Sequence, residues 1–323
     1  MLFSLTLTLA RHGTARAGTV LRSCTQPGVV ALTYDDGPSY YTSDLLDILE
    51  QNSVLATFFI VGNGNGRGMI SDPSTPWPAV LKRMHSAGHQ IGSHTWTHQN
   101  LESSDDFLRE TQIVYNEMAF RDLFGFFPAH LRPPYDASDA GINGCLDLVT
   151  GLGYHVVDFD LDTKDYLNDS PLHIQASKDI FAAALAGSDP NEDSFLVLVH
   201  DTHEQTVYNL TQYMITSLQD AGYRAVTLGE CLGDASENWY RDVSGPSSSS
   251  TADSGGCTAP PPPITTTTTS SNASPTGPTG TVSAAGGEPT GLTISPDGTC
   301  GGTNGFTCTG APQGGCCSVY GFW

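Results

Sequence analysis

The chain has 323 residues and a strongly acidic composition, with 34 Asp and Glu against 13 Lys and Arg and a formal net charge of −21 at pH 7. This balance excludes a nucleic-acid-binding role, because such binding depends on basic side chains that neutralise phosphates. The length would allow two globular domains, but every Lys and Arg lies at or before Arg241. We therefore expect one large domain, residues 24–242, followed by a tail of different character.

The N-terminus has features of a secretion signal. An apolar run from Leu2 to Ala10 precedes a segment that contains Arg11, Arg16 and small residues. The run is too short for a membrane span, which needs about 20 apolar residues. We interpret residues 1–23 as a leader and expect a secreted protein, extracellular or in a cell wall, with no membrane association.

Sequons and cysteines also indicate export. Asn168, Asn209 and Asn272 each begin an Asn-X-Ser/Thr glycosylation site. Of eight cysteines, Cys24 and Cys231 bracket the large domain, and four crowd the C-terminal end. Disulfides persist only in an oxidising compartment, and a Cys24–Cys231 disulfide that ties the domain ends together is our hypothesis.

Short β-rich runs and amphipathic segments alternate along the large domain. The predicted strands cover residues 29–34, 56–61, 89–93, 154–159, 195–199 and 223–227, and the predicted helices cover 42–51, 79–87, 104–120, 172–185 and 207–221. Strands that alternate with helices of about 10–15 residues predict a parallel α/β sheet. Periodicity alone leaves two closures open, a doubly wound sheet and a barrel.

Polar clusters follow three of the predicted strands directly. They are the pair 35–36 (Asp-Asp), the pair His94 and His98, and the pair 200–201 (His-Asp). In a barrel these positions gather at one rim, where active sites of this architecture lie. A doubly wound sheet would bring together only those beside its switch point.

Each cluster alone has an ordinary explanation. Asp-Asp-Gly-Pro at 35–38 is a common turn, and Arg-Pro-Pro-Tyr at 132–135 is a rigid one. Two histidines four residues apart can share a side of a helical turn and suit a metal, but such pairs are more often solvated. The combination is more informative, because the segments follow one another in comparable loops of a single domain.

Together the segments resemble the NodB homology domain of the polysaccharide deacetylases, family 4 of the carbohydrate esterases. The matching motifs are Thr33–Pro38 (TYDDGP), His94–His98 (HTWTH), Arg132–Tyr135 (RPPY), Asp162–Tyr166 (DTKDY) and Leu198–Asp201 (LVHD). The resemblance covers roughly residues 24–240, and the run 203–207 is most similar to fungal chitin deacetylases. It implies a distorted (β/α) barrel with fewer than eight regular repeats.

The resemblance also implies a metal site and two proton-transfer residues. Asp36, His94 and His98 would bind one divalent cation, zinc foremost and cobalt as an alternative. Three protein ligands with an open position are what a catalytic metal requires. Such a cation activates water and polarises the amide carbonyl, while Asp35 would act as the base and His200 as the acid.

The resemblance also implies residues that support the base Asp35 and the acid His200. Arg132 would hold Asp35 ionised and oriented, because opposite charges favour the charged forms. Asp165 would orient His200 or pair with Arg132, two options that the sequence leaves open. The backbone N–H of Tyr135 would stabilise the oxyanion of the tetrahedral intermediate.

Three residues are candidates for contact with substrate. The resemblance implies that Leu198 is the hydrophobic floor for the acetyl methyl group. Trp96 and Tyr166 are expected either to stack on sugar rings or to pack within the domain.

The tail divides into two segments. Residues 243–294 are rich in Ser, Thr, Pro and Gly, which predicts an extended, O-glycosylated linker. Residues 295–323 resemble a hevein-like chitin-binding module in which Ser318, Tyr320 and Phe322 match sugar-binding positions. The chain stops at Trp323, where that family has its next cysteine, so we expect this truncated module to be misfolded or disordered.

The sequence thus predicts a secreted, monomeric, metal-dependent enzyme that removes acetyl groups from the N-acetylglucosamine units of chitin or chitooligosaccharides. A second hypothesis keeps the fold and the metal but assigns acetylated xylan or peptidoglycan as substrate. A third hypothesis is a secreted chitin-binding protein without turnover. The complete set of implied ligands and proton-transfer residues argues against the third.

Overall fold

The computed structural model describes residues 20–64, 66–136 and 145–243, with two dipeptides of the tail, 293–294 and 306–307. The chain divides into two compact units, Met1–Pro246 and Ser247–Trp323. In the second unit, Thr293–Ile294 and Phe306–Thr307 pair as parallel strands.

Several predicted features lie outside the described residues. They are the leader up to residue 19, Asn272, the linker and C-terminal module apart from the two dipeptides, and the sugar-binding positions Ser318, Tyr320 and Phe322. Among the helices that are described, none has the length and apolar character needed to cross a membrane.

A curled parallel sheet forms the centre of the first unit. Its strands are β1 (Val20–Leu21), β2 (Val29–Asp35), β3 (Thr57–Ile60), β4 (Gln90–Ser93), β6 (His130–Leu131), β7 (His155–Val157), β8 (Leu161–Asp162), β9 (Phe195–His200) and β10 (Arg224–Val226), while β5 (Phe126–Pro128) pairs antiparallel with β11 (Tyr240–Asp242). The order is β1-β7-β6-β4-β3-β2-β9-β8, with β10 beside the first half of β2. The expected distorted barrel is confirmed.

Helices cover the outside of this sheet. They are α1 (Thr42–Gln51), α2 (Trp77–Ser86), α3 (Asp106–Phe124), α4 (Cys145–Gly151), α5 (Ile174–Ala186), α6 (Thr211–Asp220) and the short α7 (Leu228–Cys231). The predicted helix at 207–221 starts as a π-helical turn, Thr206–Leu210, before α6. Strands as short as β1, β6 and β8 escaped prediction because two residues show no periodicity.

The alternation of side chains along β2 separates the core from the site. Val30, Leu32 and Tyr34 belong to the large apolar cluster beneath the helices. Successive strand residues point to opposite faces, so Thr33 and Asp35 point into the concave side of the curled sheet. The strand thus presents its last inward residue, a carboxylate, at its carboxyl end.

A disulfide joins Cys24 and Cys231, which lie 207 residues apart in the sequence. It links the segment before β2 to α7, so two distant segments of the first unit are covalently connected. Cys231 is fully buried in an apolar cluster with Val226 and Leu228.

Candidate active site

Three potential metal ligands meet at the carboxyl end of the sheet. Asp36 follows β2, His94 follows β4, and His98 lies four residues further on. One ligand atom from each lies within 4.8 Å of the others. Asp36 Oδ1 is 3.3 Å from His94 Nε2 and 3.0 Å from His98 Nε2.

The donor set fits a divalent cation. His94 Nδ1 donates to the Arg132 carbonyl oxygen at 2.6 Å, which leaves the Nε2 lone pair directed at Asp36 Oδ1. That oxygen is buried without a hydrogen-bond partner in the described structure. A carboxylate oxygen and an imidazole lone pair that face each other repel unless a cation lies between them. A carbonyl that accepts from the other ring nitrogen is the usual support of a metal-binding histidine.

The loops that carry these ligands have unusual backbone geometry. Among described non-glycine residues, six have a left-handed φ, and all but Ser53 lie on loops of the site: Asp36 (74°), Thr95 (70°), His98 (57°), Tyr135 (61°) and Lys164 (57°). Such conformations persist only where the surrounding structure enforces them. The suggestion that the two histidines share a helical turn is wrong, because the left-handed residues Thr95 and His98 break any helical path.

Asp35 is held by a buried ion pair. Arg132 Nη1 donates to Asp35 Oδ1 at 2.8 Å and to Thr33 Oγ1 at 2.7 Å, and Nη2 donates to the Asp158 carbonyl at 2.7 Å. The free oxygen, Asp35 Oδ2, lies 3.8 Å from His94 Nε2. One carboxylate oxygen is therefore anchored while the other faces the ligand cluster.

His200 is oriented by Asp165. Its Nδ1 lies 2.9 Å from Asp165 Oδ1, its backbone N–H donates to Asp165 Oδ2 at 2.7 Å, and the Thr206 hydroxyl donates to the same oxygen at 2.7 Å. Of the two options left open by the sequence, Asp165 therefore contacts His200. A carboxylate at Nδ1 leaves Nε2 as the ring nitrogen available for chemistry.

The same environment sets the charge of His200. Burial lowers the pKa of this imidazole, but the hydrogen bond and charge of Asp165, together with the charges of Asp35 and Asp36, outweigh burial and raise the pKa to about 9. The protonated form of His200 therefore predominates at neutral pH.

The expected substrate contacts lie in different surroundings. Leu198 precedes His200 by two residues on the inward face of β9 and pairs in register with Thr33. Tyr166 is 41% exposed, with its ring centroid 5.4 Å from that of His200. Trp96 is half-buried against Gly62, where an added Cβ would lie 2.3 Å from the indole ring, so its side chain packs within the domain.

Tyr135 lies beside the ligand cluster. Its ring centroid is 4.7 Å from that of His98, in an edge-on arrangement, and 66% of the residue is exposed. The left-handed backbone of this residue follows Pro134 in a short 3₁₀ turn, Pro134–Asp136. The exposed ring therefore forms part of the rim around the candidate metal site.

Asp201 has a different environment from its neighbour in the motif. It is fully buried, and Oδ2 accepts a hydrogen bond from the Thr42 hydroxyl at 2.5 Å. Burial raises its pKa to about 7. An added Cβ on Gly37 would lie 2.3 Å from Asp201 Oδ2, so this carboxyl supports the loop that carries Asp36 and requires glycine there.

Sequence reasoning missed several supporting side chains. Thr33 lies within a matched motif, but nothing in the sequence indicates that its hydroxyl accepts from Arg132 and donates to the Val197 carbonyl at 2.6 Å. His203 and Asp169 form a second histidine–carboxylate contact at 3.1 Å beside His200. A polar, buried face of α3 also escaped notice, because the helical spacing of Gln112 and its polar neighbours does not distinguish a buried face from a solvated one.

The fold and the site define a class of enzyme. The polysaccharide deacetylase family matches residues 22–157, a range that contains Asp35, the three potential ligands and Arg132. The chain belongs to this family.

Within this family, the chain is similar to fungal proteins that are named chitin deacetylases. The chain is 50% identical over 224 residues to a chitin deacetylase of Colletotrichum lindemuthianum, covering 69% of this chain and 87% of the relative. It is 38% identical over 312 residues to a chitin deacetylase of a Pestalotiopsis species, covering 97% and 86%. The solved Colletotrichum lindemuthianum enzyme superposes with a TM-score of 0.66 at 48% identity, covering 70% of this chain and 97% of that structure.

Proposed function

We propose that this protein is a metal-dependent chitin deacetylase that hydrolyses the N-acetyl groups of N-acetylglucosamine units to acetate and glucosamine units. The observation that carries the proposal is the convergence of Asp36, His94 and His98 at the strand ends that also carry Asp35 and His200, the two proton-transfer groups. The names of the two fungal relatives support chitin as the substrate.

Asp36 Oδ1, His94 Nε2 and His98 Nε2 would hold the cation. An imidazole and carboxylate donor set of this kind suits Zn²⁺, with Co²⁺ as an alternative. When bound, such a cation lowers the pKa of water and polarises the carbonyl of the acetamide.

Asp35 prepares the attack on the acetamide. Its Oδ2 accepts the proton of the attacking water, while Arg132 holds the carboxylate in position through Oδ1. The backbone N–H of Tyr135 donates to the oxyanion that develops on the carbonyl oxygen. Because Asp35 and Arg132 are almost fully buried, this ion pair acts where water screens it little.

His200 completes the hydrolysis. Its Nε2 donates a proton to the sugar nitrogen as the carbon–nitrogen bond breaks, and the products are acetate and a free amine. The raised pKa keeps this proton available at neutral pH. Asp165 holds the ring in the orientation that this transfer requires.

Two side chains near these groups hold the substrate. Leu198 forms the floor for the acetyl methyl group, and Tyr166 stacks on a sugar ring beside His200. Trp96 is a packing residue in this proposal. The enzyme acts as a monomer on chitin or its oligosaccharides.

Secretion accords with the Cys24–Cys231 disulfide, which requires an oxidising compartment. The sequons give weaker support, because the amide of Asn168 donates to Lys164 O and Ser177 Oγ and that of Asn209 donates to Gln205 Oε1. We propose residues 24–242 as the catalytic domain, 243–294 as a linker and 295–323 as a chitin-binding segment. Because Val20 and Leu21 form a strand of the sheet, a leader would end before Val20.

The test is acetate release from chitin hexamer, acetylxylan and peptidoglycan, each with and without a chelator. We expect release from the hexamer that stops with the chelator and returns when Zn²⁺ or Co²⁺ is added. Faster release from acetylxylan or peptidoglycan would transfer the proposal to that substrate. Chitin binding without acetate from any substrate would favour a non-catalytic role.

A further inference from the structure

Helix α3 has a polar face turned into the protein. Arg109, Gln112 and Asn116 are each at most 3% exposed, and their spacing of three and four residues places them on one side of the helix. Helices that pack on a sheet usually bury apolar side chains, so a buried charge and two buried amides need specific partners.

These three side chains all bind one stretch of chain, residues 93–102. Asn116 also binds Ile60, and Arg109 also binds Asp106. Asn116 Nδ2 donates to Ser93 Oγ at 3.0 Å and to Ile60 O at 3.0 Å. Arg109 donates to the carbonyls of Leu101 and Glu102 at 2.5 and 3.1 Å. The stretch includes both histidines of the candidate metal site, so α3 supports the segment that carries them.

Gln112 makes the contact nearest to His98. Its Oε1 accepts the backbone N–H of Thr97 at 2.7 Å, and its Nε2 donates to the Thr97 hydroxyl at 2.7 Å. Both bonds from one amide end on the residue before His98. They therefore fix the position and the orientation of Thr97, the residue to which His98 is joined.

The two histidines are supported differently. His94 has a bond from its own ring to the Arg132 carbonyl, and its backbone N–H donates to Ile60 O at 2.9 Å. His98 has a left-handed φ of 57° and a ring that contacts Asp36 and Tyr135. A left-handed φ is unfavourable for histidine and persists only where the surrounding structure enforces it. The backbone before His98 therefore needs contacts that keep it in place.

We propose that Gln112 is a positioning residue for His98 and thereby sets the affinity of the site for its cation. The inference rests on the proposed function, since it concerns the same metal site. Groups that orient metal ligands typically change metal affinity 10–100-fold when they are removed. We expect loss of both Gln112 bonds to weaken cation binding by about that factor.

The test measures the dissociation constant for Co²⁺ by chelator competition, together with the visible spectrum of the bound ion, in the full chain. Gln112→Leu removes both bonds and is expected to raise the dissociation constant about 10–100-fold and to alter the spectrum. Gln112→Glu keeps an acceptor for Thr97 N–H and can accept from the Thr97 hydroxyl. It is expected to bind Co²⁺ within about threefold of the wild type, because both contacts to Thr97 remain.

Arg109→Met is the matched control for stability. It removes polar contacts from the same face of α3, including those to residues 101 and 102 and to Asp106, and is expected to lower the melting temperature without changing Co²⁺ affinity. Thr97→Val is the milder second variant if Gln112→Leu does not fold. It removes only the hydroxyl bond and is expected to weaken Co²⁺ binding several-fold.

The outcomes separate the two proposals. Co²⁺ binding that Gln112→Leu or Thr97→Val leaves unchanged would overturn the role of Gln112 while the metal site stands. Equal losses in Arg109→Met and Gln112→Leu would also overturn it, because a general loss of stability would then explain the effect. A wild-type chain that binds no Co²⁺ or Zn²⁺ would refute the proposed function and this inference with it.

Discussion

Replacing Asp165 with Asn should change the pH dependence of catalysis. In the wild type, burial lowers the pKa of His200, but the hydrogen bond and charge of Asp165 do most to outweigh burial and hold that pKa at about 9. Without that charge the pKa is expected to fall to about 6.5, the ordinary value for histidine, or below it, since burial remains. The protonated fraction of His200 at pH 8 then falls from about 0.9 to about 0.03, a loss of about 30-fold in acid form.

The assay is kcat/KM for acetate release from chitin hexamer between pH 5 and pH 10. The alkaline limb should move toward lower pH by about 2.5 units in Asp165→Asn, with the deficit growing as pH rises. A bound cation would lower the pKa of His200 in wild type and variant alike, so the difference between them persists. Co²⁺ affinity should be unaltered, because Asp165 contacts none of the proposed ligands.

Thr206→Val is the control for this experiment. It removes a neutral hydrogen bond from the same carboxylate while the negative charge remains, so only a small movement of the alkaline limb is expected. An Asp165→Asn profile that parallels the wild type at lower amplitude would refute the reasoning. Asp165 would then act on the orientation of His200 alone.

Three further predictions follow from the same contacts. Asp35→Asn should bind the cation normally but lose roughly 10²–10⁴-fold in kcat, because the proposed general base is gone. A kcat near that of the wild type would contradict the role of Asp35 as the base. Asp36→Ala should lose stoichiometric Zn²⁺ binding by equilibrium dialysis, and full binding would exclude it as a ligand. Replacing Cys24 and Cys231 with Ser should lower the free energy of unfolding by about 5 kcal/mol, the loop-entropy estimate for cysteines 207 residues apart. An unchanged midpoint of urea unfolding would show that the disulfide does not stabilise the fold.

The sequence predicted the parts of the site that depend on strand ends. Asp35 and His200 follow buried β-rich runs, and parallel strands bring their carboxyl ends to one edge, so the alternating pattern placed both at the same edge of the sheet. That β2 and β9 are neighbours did not follow from the pattern. The five motifs in order then gave each residue a role by resemblance. Both steps use information that is local in sequence.

The parts that the sequence could not predict depend on loop geometry and on contacts between distant residues. The path from His94 to His98 is set by left-handed φ angles at Thr95 and His98, which the spacing alone does not reveal. The choice of Asp165 as partner of His200 depends on how β8 and β9 pair. The polar face of α3 resembles an ordinary solvated face until the loop that covers it is known.

The central claim is that Asp36, His94 and His98 together hold the catalytic cation, and anomalous diffraction at the zinc edge from crystals of active enzyme tests it most directly. We expect a single strong peak in the catalytic unit, about 2.0–2.3 Å from Asp36 Oδ1, His94 Nε2 and His98 Nε2. A peak bound by other residues, or a fully active chelated enzyme without any peak between these three side chains, would contradict the account.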